Sequence, residues 1–155
     1  MKKTMNNRCI QQFAAALPVA IRNLTDMVSR SFDKNDLGLN LVQLGLLEMV
    51  AGNEDPVQSM LADQMCIDKS AILRHVDVLE SKGWLERRVD PKDRRRKHLV
   101  ISELGNTVLQ NAIDRRNSVL QQVAVGLSRT DIETAANVLE HMAGNSQVND
   151  GTALQ

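Results

Sequence analysis

At 155 residues the chain has the length of one compact domain, enough to bury a core without disulfides or a structural metal. Nineteen Lys and Arg balance nineteen Asp and Glu, which excludes a strongly basic or acidic chain as a whole. Residues 82–97, however, carry eight basic and three acidic side chains, a local net of +5 that leaves −5 for the rest. Aromatics are 2% of the chain (Phe13, Phe32 and Trp84, with no Tyr), which argues against a stacking platform for single-stranded nucleic acid and leaves duplex phosphate open.

Lys2, Lys3 and Arg8 precede the apolar run FAAALPVAI at 13–21 and together imitate a short secretory leader. The stripe continues past that run, because Ile10, Phe13, Leu17, Ile21, Leu24 and Val28 recur at spacings of three and four, so a helix is predicted over 6–32. Pro18 either kinks it or opens its main portion. No stretch reaches the roughly 18–20 apolar residues of a membrane span. Cys9 and Cys66 lie in neither C-x-x-C nor zinc-ligand spacing, as expected of a reduced cytoplasmic chain. After the turn-like DKNDLG at 33–38, Asn40 caps a second helix that carries Leu41, Leu44, Leu47, Met49 and Val50 and stops before Gly52; its apolar width predicts burial on several sides. Asp55 as N-cap and Pro56 at the first helical position predict a third, short helix through Met65, with Leu61 and Met65 facing the core.

Asp68 caps a fourth helix over 69–82, ended by Gly83. Its period puts Ile72, Val76 and Leu79 on one face and Lys69, Ser70, Leu73, Arg74 and Asp77 on the other. The β-prone runs LERRV (85–89) and HLVIS (98–102) flank DPKDRRRK and predict a hairpin with a basic tip. Ser102 caps a long helix marked by Leu104, Val108, Ala112, Leu120, Val123 and Leu127; Ser128 with Asp131 starts another bearing Ile132, Ala135, Leu139 and Met142. The tail 144–155 reads as disordered. No internal repeat and no Pro-, Gly- or Ser-rich linker divides the chain.

Two helices joined by a tight turn at 65–67 and followed by a basic hairpin are the parts of a winged helix-turn-helix. The second helix of such a pair enters a major groove about 12 Å wide and presents its N-terminal side chains to base edges, its dipole and free amides favouring phosphate. Lys69, Ser70 and Arg74 suit that task, and Asp77 suits an orienting partner for Arg74 better than a base reader. Lys92, Arg94, Arg95, Arg96 and Lys97 at the hairpin tip suit flanking phosphate or a narrow minor groove. The fold class expected is mainly α with a small β-hairpin.

Residues 61–105 also resemble the DNA-binding segment of the MarR family of bacterial transcription regulators. They join the helix pair to a K-G-W-L-E-R-R exit, a D-P-x-D-R-R wing, and Ser102 and Gly105 at matching distances. The resemblance implies a single domain over 1–143, with 6–32 and 103–143 as dimerisation helices and 40–102 as the winged-helix lobe. It implies a homodimer on a pseudo-palindromic double-stranded operator, and repression relieved by a small-molecule effector. It also implies that Asp93 braces Arg95 in the minor groove, Arg94 being the competing residue. The chain departs from the family pattern where Cys66 replaces the usual turn glycine, so the backbone there either avoids the left-handed region or bears strain. Leu73 is less polar than its counterpart in many relatives, and Pro18 bears on the geometry of the dimer.

Other chemistry finds little support. Phosphate loop, nucleophile elbow, zinc-protease helix and paired carboxylates are all missing from the sequence, so neither an enzyme nor a cofactor is expected. Asp90 and Asp93 are expected to pair with neighbouring arginines and shape the wing. His75, His98 and His141 share no metal spacing and are expected on the surface or the hairpin. Met49, Met60, Met65 and Met142 sit at core positions, and Cys66 is expected to pack in its turn. Cys9 is the candidate for a thiol sensor, since some members of the resembled family sense peroxides through an N-terminal cysteine; here no tyrosine, and no adjacent cation except Arg8, supports a thiolate. A reading from another class, a winged-helix module that docks an acidic protein without binding DNA, differs in lacking a duplex-length requirement and a steep salt dependence.

Overall fold

The computed structural model describes residues 7–33, 37–89 and 97–145, with Asn145 described by its backbone alone. These are mainly helical with one antiparallel hairpin. In chain order the elements are α1 (Asn7–Asp33), α2 (Leu41–Gly52), α3 (Gln58–Met65), α4 (Lys69–Ser81), β1 (Leu85–Val89), β2 (Lys97–Ile101), α5 (Glu103–Val123) and α6 (Arg129–Asn145). They fall into two units, one reaching Val119 and one beginning at Leu120.

The core of the first unit is built around α2, whose Leu44, Leu46, Leu47 and Val50 are all buried, as the width of its apolar face predicts. Its N-terminus is a reciprocal capping box: the Gln43 amide donates to the Asn40 side chain at 2.9 Å and the Asn40 amide to the Gln43 side chain at 3.0 Å. Gln43, a buried polar residue, is thereby satisfied. Leu61 of α3, Ile72, Val76 and Leu79 of α4 and Leu85 of β1 close on the same core. From α5, Leu109 and Ala112 join it, and Arg116 pairs with Glu48 of α2 at 2.7 Å. Helix α1 runs unbroken through Pro18, and only Val28 and Phe32 near its C-terminal end are buried.

Helix α3 starts later than its sequence predicts. Asp55 and Pro56 do not open it, because Val57 is extended and bridges to His98 of β2 while the Leu99 amide donates to the Pro56 carbonyl at 2.9 Å. The segment is therefore the outer edge of the hairpin, and Asp55 pairs with the His98 imidazole instead of capping a helix. At the other end of α3 the Cys66 and Ile67 amides donate back to the Asp63 and Ala62 carbonyls. Cys66 takes the left-handed conformation that such a helix end requires (φ 51°). The strained alternative is thus the one adopted, and the Cys66 side chain is exposed rather than packed in the turn.

Helix α4 ends in the same motif with a glycine: Gly83 has φ 70°, its amide donates to Glu80 and that of Trp84 to Leu79, each at 2.9 Å. The hairpin pairs Leu85 with Ile101 through Val89 with Lys97, and 90–96, including Asp90, lie outside the described residues. Ser102 then locks the hairpin to α5: its hydroxyl donates to the Gly83 carbonyl at 2.6 Å and accepts from the Gly105 amide at 2.9 Å, while its own amide donates to the Trp84 carbonyl. A Cβ at Gly105 would stand 2.1 Å from the Trp84 carbonyl oxygen, so only glycine fits.

In the second unit α6 opens on the predicted pair: the Asp131 carboxylate accepts from the Ser128 amide at 3.0 Å and hydroxyl at 2.7 Å, and the Asp131 amide donates back at 3.2 Å. The Ser128 hydroxyl, and then its amide, hold the Asp131 carboxyl below the usual aspartate range. None of residues 129–144 is buried, so Met142, expected in the core, is exposed. The helix runs to Asn145, two residues into the segment expected to be a tail, and 146–155 lie outside the described residues.

Candidate nucleic-acid interface

The interface is assembled from the turn after α3, helix α4 and the hairpin. Asp68 begins α4: its carboxylate accepts from the Ser70 hydroxyl and, at 2.8 Å, from the Ser70 amide, with the Ala71 amide at 3.3 Å. The Ser70 hydroxyl, the two amides and the nearby Arg74 charge hold its carboxyl below the ordinary aspartate value. A depressed carboxylate stabilises the helix start at every pH above its ordinary value, about 4, and that contribution is lost as the pH falls through the lowered value.

With Ile72, Val76 and Leu79 buried at its back, α4 turns Lys69, Ser70, Leu73, Arg74 and Asp77 outward, as its period predicts. Arg74 lies 3.4 Å from the Ser70 hydroxyl, to which it donates, and exposed Lys69 is 4.0 Å from Asp63. Asp77 is not the orienting partner of Arg74 that sequence spacing suggests. It accepts from Arg87 of β1, whose guanidinium spans Asp77 and Glu80 together, and the Arg87 amide donates to Glu80 at 3.3 Å. Arg87 is 17% exposed at its side chain, so a largely covered guanidinium clamps the C-terminal half of α4 to the first strand of the hairpin.

Sequence reasoning singled out neither Arg87 nor Glu80. A signal existed in the strand alternation: Arg87 lies two residues after buried Leu85 and so shares its inward face, where a cation requires a carboxylate. Asp77 and Glu80, three apart on α4, offer two. The next residue, Arg88, points the other way and pairs with Glu86 in solvent. Lys82 lies 4.6 Å above the Trp84 ring and donates to the Gly38 carbonyl, so it belongs to the fold rather than to the basic tip.

Lys97 is exposed at the start of β2, opposite Val89. The other wing candidates, Lys92, Asp93, Arg94, Arg95 and Arg96, lie outside the described residues. Cys9 is a free, exposed thiol in the first turn of α1. His75 is half-buried on α4, His98 belongs to the hairpin and His141 is exposed on α6; the described residues contain no group of three metal-ligating side chains. None of the described helices is long and apolar enough to cross a membrane. Leu37 and the α5 residues Asn111, Asp114, Arg115 and Ser118 line a groove of about 540 Å³.

A sequence model of the MarR family matches residues 37–96, from the loop before α2 through the hairpin tip. A transcriptional regulatory protein of Thauera aromatica named for the hcr operon is 34% identical over 111 residues, covering 62% of this chain and 67% of that one. The chain belongs to the MarR family. Its MarR-family relatives include the transcriptional regulator MhqR of Bacillus subtilis, 25% identical over 83% of this chain and 87% of MhqR. The transcriptional repressor MprA of Escherichia coli is 30% identical over 53% of this chain and 48% of MprA. A crystal structure of MarR superimposes with a TM-score of 0.78 at 19% identity, over 97% of each chain. That of CouR from Rhodococcus jostii bound to p-coumaroyl-CoA does so with 0.71 at 23% identity, over 90% of this chain and 93% of CouR. The fold is therefore that of a winged-helix regulator of the MarR family, and the protein is a DNA-binding transcription regulator, in a family of regulators rather than of enzymes.

Proposed function

We propose that the protein is a repressor that binds a pseudo-palindromic operator as a two-fold dimer and leaves it when a small molecule binds. The observation that carries the reading is α4: a helix with a buried apolar back, an outward face bearing Lys69, Ser70, Leu73 and Arg74, and two carboxylates, Asp77 and Glu80, both already paired with Arg87. Such a face meets a major groove without presenting phosphate with an uncompensated negative charge. Lys69, Ser70 and Arg74 would contact bases or phosphate, and Lys92, Arg94, Arg95, Arg96 and Lys97 the flanking backbone or minor groove, with Asp93 bracing Arg95. Half-sites are expected about one helical turn, roughly 10 bp, apart.

Dimerisation through 6–32 and 103–143, with one domain over 1–143, is supported by apolar side chains that the single chain leaves in solvent. Ile10 and Phe13 of α1 are each 42% exposed, and Ile132 and Leu139 of α6 are 45% and 52% exposed. The relative named a repressor supports the sign of regulation, and the bound ligand of CouR supports a small-molecule effector.

The test is fluorescence anisotropy of a labelled duplex from the region upstream of the protein's own gene, titrated with wild type and Arg95→Ala at two salt concentrations. The expected result is binding that requires a duplex long enough for two half-sites, weakens by about 0.9 log units per log unit of salt for each phosphate neutralised, and loosens in Arg95→Ala. No binding to any upstream duplex at low salt would overturn the reading and favour the docking module.

A further inference from the structure

Leu73 occupies the centre of the outward face of α4. It lies one turn on from Lys69 and Ser70, beside Arg74 and one turn before Asp77, and is 44% exposed. Its polar neighbours have partners on the protein itself: Ser70 is held by Asp68 and accepts from Arg74, and Asp77 by Arg87. The residue at the centre of that face has neither donor nor acceptor. In the major groove every base pair presents a pattern of hydrogen-bonding groups, and the one feature there that an aliphatic side chain recognises is the 5-methyl group of a pyrimidine. Set against any other base edge, Leu73 would strip water from a donor or acceptor and return no hydrogen bond.

We infer that Leu73 is a specificity-determining residue that packs on a thymine methyl in each half-site. The inference rests on α4 being the helix that enters the major groove, and deepens that reading by naming what its central side chain selects. Position and chemistry agree: a γ-branched side chain on a helix carries its methyl groups outward, and burying one carbon group between leucine and thymine is worth about fourfold in affinity.

The test replaces thymidines of the bound upstream duplex with deoxyuridine one at a time, which removes the methyl and leaves every hydrogen-bonding group in place. Affinity is read by anisotropy for wild type, Leu73→Ala and Leu73→Met, with circular dichroism to confirm that each variant keeps its helices. Wild type and Leu73→Met should lose about fourfold at one thymine position in each half-site, and Leu73→Ala should bind the two duplexes equally. Methylating cytosines of the same duplex should leave wild-type affinity unchanged; a gain there with no loss at any deoxyuridine would overturn thymine as the source of the methyl. A flat deoxyuridine scan in wild type, or the same loss in Leu73→Ala, overturns the inference while leaving α4 as the DNA-reading helix. Failure of wild type to bind any duplex overturns both.

Discussion

At Cys66 a side chain occupies a left-handed backbone (φ 51°), and at Gly105 the lack of one lets α5 close to van der Waals distance on the Trp84 carbonyl. The two positions respond in opposite ways to the exchange of a hydrogen for a Cβ. Left-handed backbone costs a residue with a Cβ roughly 1–2 kcal/mol, and glycine returns about 0.5–1 kcal/mol of that through the greater freedom of the unfolded chain. Cys66→Gly should therefore raise stability in urea by up to about 1 kcal/mol, with no change in the slope of the transition. Gly105→Ala should lower it by about 2–3 kcal/mol, at the high end for overpacking, because the obstacle is backbone and not the end of a flexible side chain. Ser102 ties the same junction together, its hydroxyl bonded to Gly83 before the hairpin and to Gly105 of α5.

Between elements, the decisive contact is the guanidinium of Arg87 held by Asp77 and Glu80. With carboxylates 40% and 55% exposed, its contribution to stability is modest, about 1 kcal/mol at most. Its larger effect is on charge, since without it Asp77 stands uncompensated on the face proposed to meet DNA. Arg87→Gln should weaken duplex binding about tenfold, as expected for one new repulsion at a partly solvated site, and Asp77→Asn in that background should recover most of the loss. Both are read by anisotropy at fixed salt; failure of the second substitution to recover affinity would limit Arg87 to a structural role. The clamp was hard to read in the sequence because a helix face shows only which residues lie outward. Asp77 has Arg74 three residues away on its own helix, yet it pairs with an arginine ten residues on, across a turn. The start of α3 departs from local preference for a related reason: Asp-Pro is a sound helix opening, but pairing of Val57 with His98 and of Pro56 with Leu99 supplies backbone hydrogen bonds that local preference cannot outweigh.

On the scale of the molecule, α1 and α6 each leave apolar side chains in water, which a second copy of the chain would cover. Ile132→Asp combined with Leu139→Asp should shift the protein from dimer to monomer in analytical ultracentrifugation. Duplex binding should fall with it, and the salt slope should drop to about half as only one set of phosphates is neutralised. A dimer that persisted in the double variant would move the interface away from α6.

The amino-acid sequence by itself determined the helices and strands and most of their ends, because apolar period and caps act within a few residues: Asn40, Asp68, Ser102 and Ser128 each open the helix they were expected to open. It also determined which face of α4 is outward, since Ile72, Val76 and Leu79 leave no other choice. The tertiary structure alone decided which outward and inward groups meet: Asp77 with Arg87, Asp55 with His98, Glu48 with Arg116, and Gly105 with the Trp84 carbonyl. Periodicity states that a side is covered; what covers it depends on how elements far apart in the chain approach, and that is settled by the packing of the whole core.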